Sequence, residues 1–287
     1  MPVVTEPLLL APHRVSKVWA GRGLGPGIGE AWDLSTLPDG ASTVAAGMHR
    51  GRSLDALVAE APDDFGGPLR LLAKRLDCAE PLSVQVHPSD HDAKTEAWVV
   101  LRAEPGAGVW HGVARPTTAD QLRAAALDGS LPDLLRFVPL EVGQAVFVPA
   151  GTVHAIGGGL VLFELQQASD ATYRLYDWGR PDRGLHLDQG LACARTEPLA
   201  APVPAPPPSP DPVRLVACDH FVVDRLGSAR APVDPAGSWA AVHVVSGSAR
   251  VGDVPAGAGA TVLVPRSVGA VAVEPEPGFA GLRYGPG

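Results

Sequence analysis

Polar and apolar side chains alternate in the segment Leu82–Pro88, which reads LSVQVHP. Successive residues of a β-strand point to opposite faces of its sheet, so Ser83, Gln85 and His87 are expected to share one face. The two valines between them then point to the other face, against a core. A polar row backed by apolar residues is typical of a strand that lines a cavity.

Further polar side chains extend this row towards a metal site. Lys94 and Glu96 have the same two-residue spacing, and the apolar run AWVVL predicts a second strand there. His154 comes just after Pro149-Ala150-Gly151, a turn that directs the side chains that follow it. His91, in the polar loop SDHD, is an alternative ligand, although a surface position explains it more simply.

Two imidazoles, one carboxylate and one amide result from this selection: His87, His154, Glu96 and Gln85. Catalytic zinc takes nitrogen and oxygen ligands of these kinds and keeps one position open for water or substrate. The pattern therefore predicts one Zn²⁺ site per chain. The competing interpretation is that each histidine is a buried structural group or a surface group.

A second group of candidates lies downstream, on two predicted strands. Glu164 interrupts an otherwise apolar sequence, and a carboxylate buried in a sheet needs a partner or a chemical role. Arg174 suits either a structural ion pair with Glu164 or the binding of an anionic ligand. Lys94 is likewise either a solvated loop residue or part of the site.

The elements that must position these residues are short strands. The 33 glycines and 30 prolines interrupt the chain too often for long helices. We predict strands in PLSVQVHP, EAWVVLRA, QAVFVPA, GLVLFELQ and TYRLYDW. Two short helices are expected, one in TTADQLRAAALDG with Thr117 as N-cap paired with Asp120, and one that begins at Ser130.

A proline-rich segment divides the chain. Residues 198–212 read PLAAPVPAPPPSPDP, which predicts a polyproline II linker rather than a helix or central strand. We therefore expect domains at 1–197 and 213–287. A possible repeat relates them, because GQAVFVP at 143–149 resembles GATVLVP at 259–265. Five residues past the proline, the first copy has His154 and the second has Ala270.

Composition excludes several functional classes. There are 31 acidic and 23 basic residues, and the resulting net charge of −8 argues against a nucleic-acid partner. The three cysteines form no CxxC motif, which favours a reducing compartment. We expect a cytoplasmic protein without a membrane partner, since the N-terminus lacks a signal-peptide pattern and the longest apolar tract contains glycines, a proline and charge. The oligomeric state stays open.

Four separated motifs resemble those of the type I phosphomannose isomerases, which are zinc-dependent mannose-6-phosphate isomerases with cupin folds. The motifs are PLSVQVHP, KTEAW, VPAGTVHAIGGG and FELQQASDATYRLYDWGR, and GEAWDLS is similar to an N-terminal signature of the same family. They extend over about residues 17–190, and the nearer likeness is to the shorter bacterial branch.

The resemblance implies a mainly β fold: two cupin-like double-stranded β-helix (jelly-roll) domains, with a few short helices in the first and no metal in the second. It implies zinc ligands at Gln85, His87, Glu96 and His154, the same four residues that strand alternation selects. It also implies an active-site arginine at Arg174, supporting roles for Lys94 and Glu164, and a phosphate contact from Ser83. The loop Pro88–Thr95 is shorter than is common in the family.

The expected reaction interconverts mannose 6-phosphate and fructose 6-phosphate through an enediolate. Zinc and Arg174 would stabilise charge on the substrate oxygens, and a local basic pocket, with Arg180 or Arg183 as candidates, must bind the phosphate. The general base is left open among Glu164, Lys94 and zinc-bound water, with Glu164 or water favoured. The alternatives are a cupin metalloenzyme of another type, such as an iron oxygenase, and a non-catalytic sugar-phosphate-binding cupin.

Overall fold

A computed structural model describes residues 1–90, 92–180 and 183–287, so the alternative ligand His91 lies outside the described residues. Strands dominate: β1 Leu8–Ala11, β2 His13–Ser16, β3 Ile28–Leu34, β4 Thr43–Val44, β5 Leu71–Cys78, β6 Val84–Val86, β7 Glu96–Ala103, β8 Gly108–Val113, β9 Leu135–Pro139, β10 Ala145–Val148, β11 His154–Ile156, β12 Leu160–Gln167, β13 Tyr173–Tyr176, β14 Val213–Ala217, β15 Phe221–Leu226, β16 Ala231–Val233, β17 Trp239–Ser246, β18 Ser248–Val251, β19 Val254–Gly257, β20 Thr261–Pro265, β21 Val271–Pro275 and β22 Ala280–Pro286. All five strands predicted from the sequence are present.

In the part of the chain that the structure describes, four short helices accompany the strands: α1 Leu54–Glu60, α2 Ala119–Asp128, α3 Leu131–Leu134 and α4 Leu187–Cys193. Two single turns of 3₁₀ helix lie at Pro62–Phe65 and Arg266–Val268. Of the helices in the described residues, none has the length and apolar character needed to cross a membrane.

The predicted N-cap of α2 is wrong by one residue. Thr118 caps the helix: its hydroxyl accepts from the Gln121 amide, and the Gln121 side chain accepts from the Thr118 amide. Thr117 instead donates its hydroxyl to the carbonyl of Arg115. Both threonines precede a polar residue by three positions, so the sequence alone did not separate them.

The strands form four antiparallel sheets, and the predicted mainly β cupin fold is confirmed. The strand orders are β14-β15-β22-β17-β20-β1-β4, β10-β7-β12-β5-β3-β2, β13-β6-β11-β8-β9 and β16-β21-β18-β19. The five-stranded and six-stranded sheets provide the strands that carry the candidate residues.

Contacts divide the chain into two compact units that are not contiguous in sequence. One comprises residues 1–14, 31–74 and 206–287, and the other comprises 15–30 and 75–205. This division differs from a simple split at the proline-rich segment, because Leu8 on β1 pairs with Leu263 on β20 and so belongs with the C-terminal strands. The boundaries 1–197, 198–212 and 213–287 stay a prediction about separately folding domains.

The suspected repeat has a structural counterpart in the two units. Gly143 has φ 84° and donates to the carbonyl of Val100, while Gly259 has φ 82° and donates to Val244. The strand that follows each glycine then pairs with the strand that contains this accepting carbonyl, β10 with β7 and β20 with β17. In this alignment the position of Glu96 corresponds to Ala240 in the second copy.

Within the unit that holds the candidate residues, the five-stranded sheet is covered on its outer face by helices. Val84 on β6 and Leu175 on β13 belong to one apolar cluster with Leu122 of α2, Leu131 of α3 and Leu191 of α4. Strand alternation therefore turns the neighbours of these residues towards the sheet's other face. That face carries the polar row.

Candidate metal and substrate site

Register places four polar residues side by side across the five-stranded sheet. Gln85 on β6 is opposite Arg174 on β13 and also opposite His154 on β11, and His154 is in turn opposite His111 on β8. Directly opposed residues of antiparallel strands share a face with their Cβ atoms about 5 Å apart. The pairing therefore brings residues from four separate strands into one row.

The six-stranded sheet supplies the carboxylates. Glu96, the first residue of β7, is opposite Val148 on β10 and Gln166 on β12. Two residues further along β7, Trp98 is opposite Glu164, and its indole Nε1 donates to Glu164 Oε1 at 3.0 Å. Glu96, Glu164 and Gln166 are all buried.

Two imidazoles converge on Glu96. His87 Nε2 lies 3.3 Å from Glu96 Oε2, and His154 Nε2 lies 3.3 Å from Glu96 Oε1. The ligating atoms of these three residues all lie within 4.8 Å of one another, and all three side chains are buried. Gln85 Nε2 lies 3.3 Å from His154 Nε2, so the structure brings the whole predicted quartet together.

The Nδ1 atom of each imidazole lies within hydrogen-bond distance of a backbone carbonyl. His87 Nδ1 lies 2.9 Å from the carbonyl of Ala171, and His154 Nδ1 lies 2.9 Å from that of Thr152. A carbonyl can only accept, so Nδ1 carries the proton in both rings and the lone pair is on Nε2. This arrangement of a backbone acceptor behind an imidazole is the one that metal-binding histidines use.

The electrostatics of the cluster favour neutral imidazoles and an ionised carboxylate. Burial, followed by the charge of Lys94, lowers the pKa of His87 to about 3, and burial also lowers that of His154. For Glu96, burial acts to raise the pKa, but the charge of Lys94 and the two imidazoles outweigh it and hold the pKa well below its usual range. Metal ligands need these protonation states.

Within the described residues, neither oxygen of Glu96 has a hydrogen-bond partner of acceptable geometry. A buried carboxylate that accepts no hydrogen bond is costly even beside the Lys94 ammonium, and a divalent cation between it and the two Nε2 atoms would satisfy it. Two imidazoles and a carboxylate match the ligand preferences of zinc, and Gln85 would add an amide oxygen once its side-chain amide turns Oε1 from Ser83 towards His154. The donor set therefore fits this metal.

Lys94 is buried beside the cluster, not solvated in a loop. Its Nζ lies 3.2 Å from His87 Nε2 and 3.4 Å from Glu96 Oε2. Ser83 is also buried, and its hydroxyl donates to Gln85 Oε1 at 3.3 Å. Both candidates therefore contact members of the quartet.

Arg174 pairs with Asp177 rather than with Glu164, so the structural ion pair considered from the sequence is wrong. Its Nε lies 4.0 Å from Asp177 Oδ2, and its NH1 donates to the carbonyl of Gly184 at 3.0 Å. Burial, and then the nearby charge of Arg183, lowers the pKa of Arg174. The guanidinium is therefore held in a cationic environment that an anion would relieve.

Asp177 is the centre of an arginine cluster. Arg180 NH1 lies 3.1 Å from Asp177 Oδ1, and Arg183 NH1 lies 3.1 Å from Asp177 Oδ2. Among the residues that the structure describes at this cluster, three guanidinium groups thus meet one buried carboxylate, although Arg180 also pairs with the exposed Glu80. Counted over these residues, the cluster carries excess positive charge in a chain of net charge −8.

Sequence reasoning missed Asp177 and His111. Asp177 falls within the predicted strand segment TYRLYDW, but the observed strand β13 ends at Tyr176. Asp177 therefore lies in a turn that depends on Trp178 at φ 55°, and no sequence motif indicates this turn. His111 lies in a strand that we did not predict, within GVWHGV. Its alternation with apolar residues in that segment was the available signal.

The chain is similar in sequence and in fold to known proteins of one enzyme family. Residues 25–117 match the family model described as phosphomannose isomerase type I, catalytic domain. A mannose-6-phosphate isomerase of Streptococcus mutans is 37% identical over 214 residues, covering 66% of this chain and 67% of the relative. The crystal structure of the mannose 6-phosphate isomerase from Bacillus subtilis superposes with a TM-score of 0.83 at 28% identity, covering 97% of this chain and 98% of that one. A zinc-bound mannose 6-phosphate isomerase shares the fold at 17% identity, with a TM-score of 0.77 and coverage of 97% and 98%.

Proposed function

This chain belongs to the type I phosphomannose isomerase family, and on that premise we propose that it interconverts mannose 6-phosphate and fructose 6-phosphate with one Zn²⁺ per chain. One observation carries the proposal: two buried imidazole Nε2 atoms each lie 3.3 Å from a buried carboxylate that has no hydrogen-bond partner among the described residues. The ligands would be Gln85, His87, Glu96 and His154.

The reaction opens the sugar ring and moves one proton between C2 and C1 through an enediolate. Zinc, when bound, supplies a Lewis acid that polarises the oxygens at C1 and C2. Arg174 lies beside Gln85 in the row and adds a fixed positive charge to the same side of the pocket. A group that is already charged and positioned needs no reorganisation as charge develops on the substrate.

Two protein groups are placed to handle the proton. Glu164 is fixed by the Trp98 indole, two positions from the Glu96 row on the same face, and we favour it, or water, as the base. Lys94 contacts both His87 and Glu96, which suits it to a supporting electrostatic role. Glu164→Gln is expected to lower kcat by at least about 100-fold while zinc content stays at one per chain. Near-parent turnover would remove Glu164 from the mechanism.

The phosphate is assigned to Ser83 and the arginine cluster. Among the described residues, Arg174, Arg180 and Arg183 share the carboxylate of Asp177, and Arg180 also pairs with the exposed Glu80, so the cluster keeps an excess of positive charge that would attract a phosphate. Guanidinium groups bind phosphate oxygens in paired geometry and stay charged at all physiological pH values. The local excess of positive charge also explains how a chain of net charge −8 attracts an anionic substrate.

A coupled assay on purified protein tests the proposal. Conversion of mannose 6-phosphate to fructose 6-phosphate should disappear after chelation and return with added zinc. His154→Ala should weaken zinc binding by more than the ~10–100-fold that outer contacts of a metal site typically cost, and abolish turnover, because alanine leaves no ligand atom at this position. His243→Ala is the matched control, because His243 is an equally buried histidine in the other unit.

Two results would contradict this assignment. Full zinc occupancy in His154→Ala would refute the ligand set. A parent protein that holds zinc and binds mannose 6-phosphate without converting it would support the non-catalytic sugar-phosphate-binding cupin.

A further inference from the structure

The two imidazoles obtain their backbone acceptors in different ways. The carbonyl that accepts from His154 Nδ1 belongs to Thr152, two residues away, in a turn closed by the Thr152 amide and hydroxyl on the Pro149 carbonyl. The carbonyl that accepts from His87 Nδ1 belongs to Ala171, 84 residues away. The first acceptor is held by its own turn, whereas the second depends on whatever fixes the loop between β12 and β13.

Gln166 lies at the base of that loop and is fully buried. Its Nε2 donates to the carbonyl of Gln167 at 3.0 Å and to that of Ser169 at 2.7 Å, which uses both of its hydrogens. The Ser169 amide also donates to the Gln167 carbonyl, so the amide side chain closes a tight turn from inside. The turn begins at the last residue of β12.

Ser169 connects this turn to Ala171 by a hydrogen bond. The Ser169 hydroxyl accepts from the Ala171 amide at 3.2 Å and donates to the carbonyl of Asp92 at 3.2 Å. The Ala171 carbonyl, which accepts from His87, therefore belongs to a residue whose own amide is held by the turn that Gln166 closes.

Packing alone does not explain a glutamine at this position. Oε1 of Gln166 is buried without a hydrogen-bond partner among the described residues, so the side chain is only half satisfied. An apolar residue of the same size would fill the volume without that unpaired acceptor. The two donated hydrogen bonds are what the amide contributes.

We propose that Gln166 is a positioning residue for His87: through the turn 167–169 and the Ala171 carbonyl, it keeps the proton on Nδ1 and directs Nε2 towards Glu96. Gln166 is not one of the four proposed ligands, and its side chain acts on His87 through the backbone of the loop. The expected effect of Gln166 on zinc binding rests on the proposed function. The expected effect of Gln166 on the His87 ring does not. The tautomer is a property of the metal-free protein.

The experiment uses full-length, metal-free protein with ¹⁵N-labelled histidine at neutral pH, where NMR distinguishes Nδ1–H from Nε2–H imidazoles. In the parent, His87 and His154 should both be Nδ1–H. Gln166→Met keeps the length of the side chain and removes both donors, so His87 should lose part of its Nδ1–H population while His154 stays unchanged. The Lys94 ammonium, which donates to His87 Nε2, should keep the rest of that population, so a mixture of tautomers is expected. His154 is thus an internal control in every sample.

Gln144→Met is the matched variant, because Gln144 is another buried glutamine and donates to the distant carbonyl of Val203. It should leave both histidines as in the parent. Ser169→Ala removes only the contact to the Ala171 amide and the one to Asp92, and should shift His87 in the same direction by a smaller amount. This variant decides the question if Gln166→Met does not fold.

Chelator competition then measures the consequence for metal. Zinc affinity should fall by about 10–100-fold in Gln166→Met, the usual effect of losing an outer contact of a metal ligand, and stay within twofold of the parent in Gln144→Met. An unchanged His87 tautomer in both Gln166→Met and Ser169→Ala would overturn the proposal. Failure of the parent to bind zinc would instead refute the proposed function, since the metal-free spectra are independent of it.

Discussion

Residue chemistry at the cluster makes the metal-free protein sensitive to acid. His87 is neutral in the folded chain because burial and Lys94 lower its pKa to about 3, and the pKa of His154 is also lowered by burial. In the unfolded chain both imidazoles would titrate near the ordinary value of 6.5. Below that pH the unfolded state therefore binds more protons than the native state, and the free energy of unfolding falls as pH falls.

We expect the free energy of unfolding of the metal-free protein to be greatest above pH 6.5 and to decrease from there towards about pH 3. Each such histidine contributes a slope of up to about 1.4 kcal/mol per pH unit. The lowered pKa of Glu96 adds a loss in the same direction below pH 4.5. Urea unfolding at a series of pH values measures this slope.

His87→Gln removes one of the titrating imidazoles. Between pH 6 and pH 5 it should reduce the slope of the unfolding free energy against pH by about 1.4 kcal/mol per pH unit, the contribution of one bound proton. Parallel stability curves for His87→Gln and the parent would show that His87 does not stay neutral in the folded state. The comparison requires chelator in all samples, because metal competes with protons for the same nitrogen atoms.

The candidate site could be predicted where strand periodicity governs it. Gln85 and His87 follow from alternation within one strand, and Glu96 from the next, because a period of two assigns each residue to a face. The partner of Arg174 could not be predicted in this way. Asp177 lies past the end of β13, where the chain turns at Trp178, and turns of that kind carry no periodic signal.

At the scale of elements, helix α2 offers a test of which threonine is the cap. Thr118→Ala should raise the hydrogen-exchange rate of the Gln121 amide and lower the free energy of unfolding by about 1 kcal/mol, because that amide loses its acceptor at the helix N-terminus. Thr117→Ala is the neighbouring control, since the Thr117 hydroxyl donates to the Arg115 carbonyl instead. Faster exchange of the Gln121 amide in Thr117→Ala alone would reverse the assignment.

The elements themselves were largely predictable, but their partners were not. Short apolar runs bounded by glycine and proline predicted five strands. The similarity of GQAVFVP at 143–149 to GATVLVP at 259–265 indicated the repeat that contains β10 and β20. Pairing of β1 with β20 joins residues about 250 positions apart, and nothing local in LLLA specifies that partner. This is why a split at the proline-rich segment does not reproduce the two compact units.

For the molecule as a whole, the distribution of ligands between the units determines where metal acts. All four candidate ligands lie in the unit formed by residues 15–30 and 75–205. In the repeated copy, the positions of Glu96 and His154 carry Ala240 and Ala270, and the strands there enclose an apolar cluster that includes Val242. Zinc binding is therefore expected to stabilise the unit that holds the ligands more than the other unit.

Hydrogen exchange with mass spectrometry measures this directly. A ligand that binds only the native state at 100 times its Kd adds about 2.7 kcal/mol to stability. Removing zinc should therefore speed exchange by up to about 100-fold in strands β6, β7 and β11, whose residues hold the ligands. Strands β17 and β20 serve as the internal reference, because they are the counterparts of β7 and β10 in the copy that lacks the ligands. Equal acceleration in both sets would mean that the two units open as one cooperative body, because local stabilisation at the ligands cannot otherwise reach the second copy.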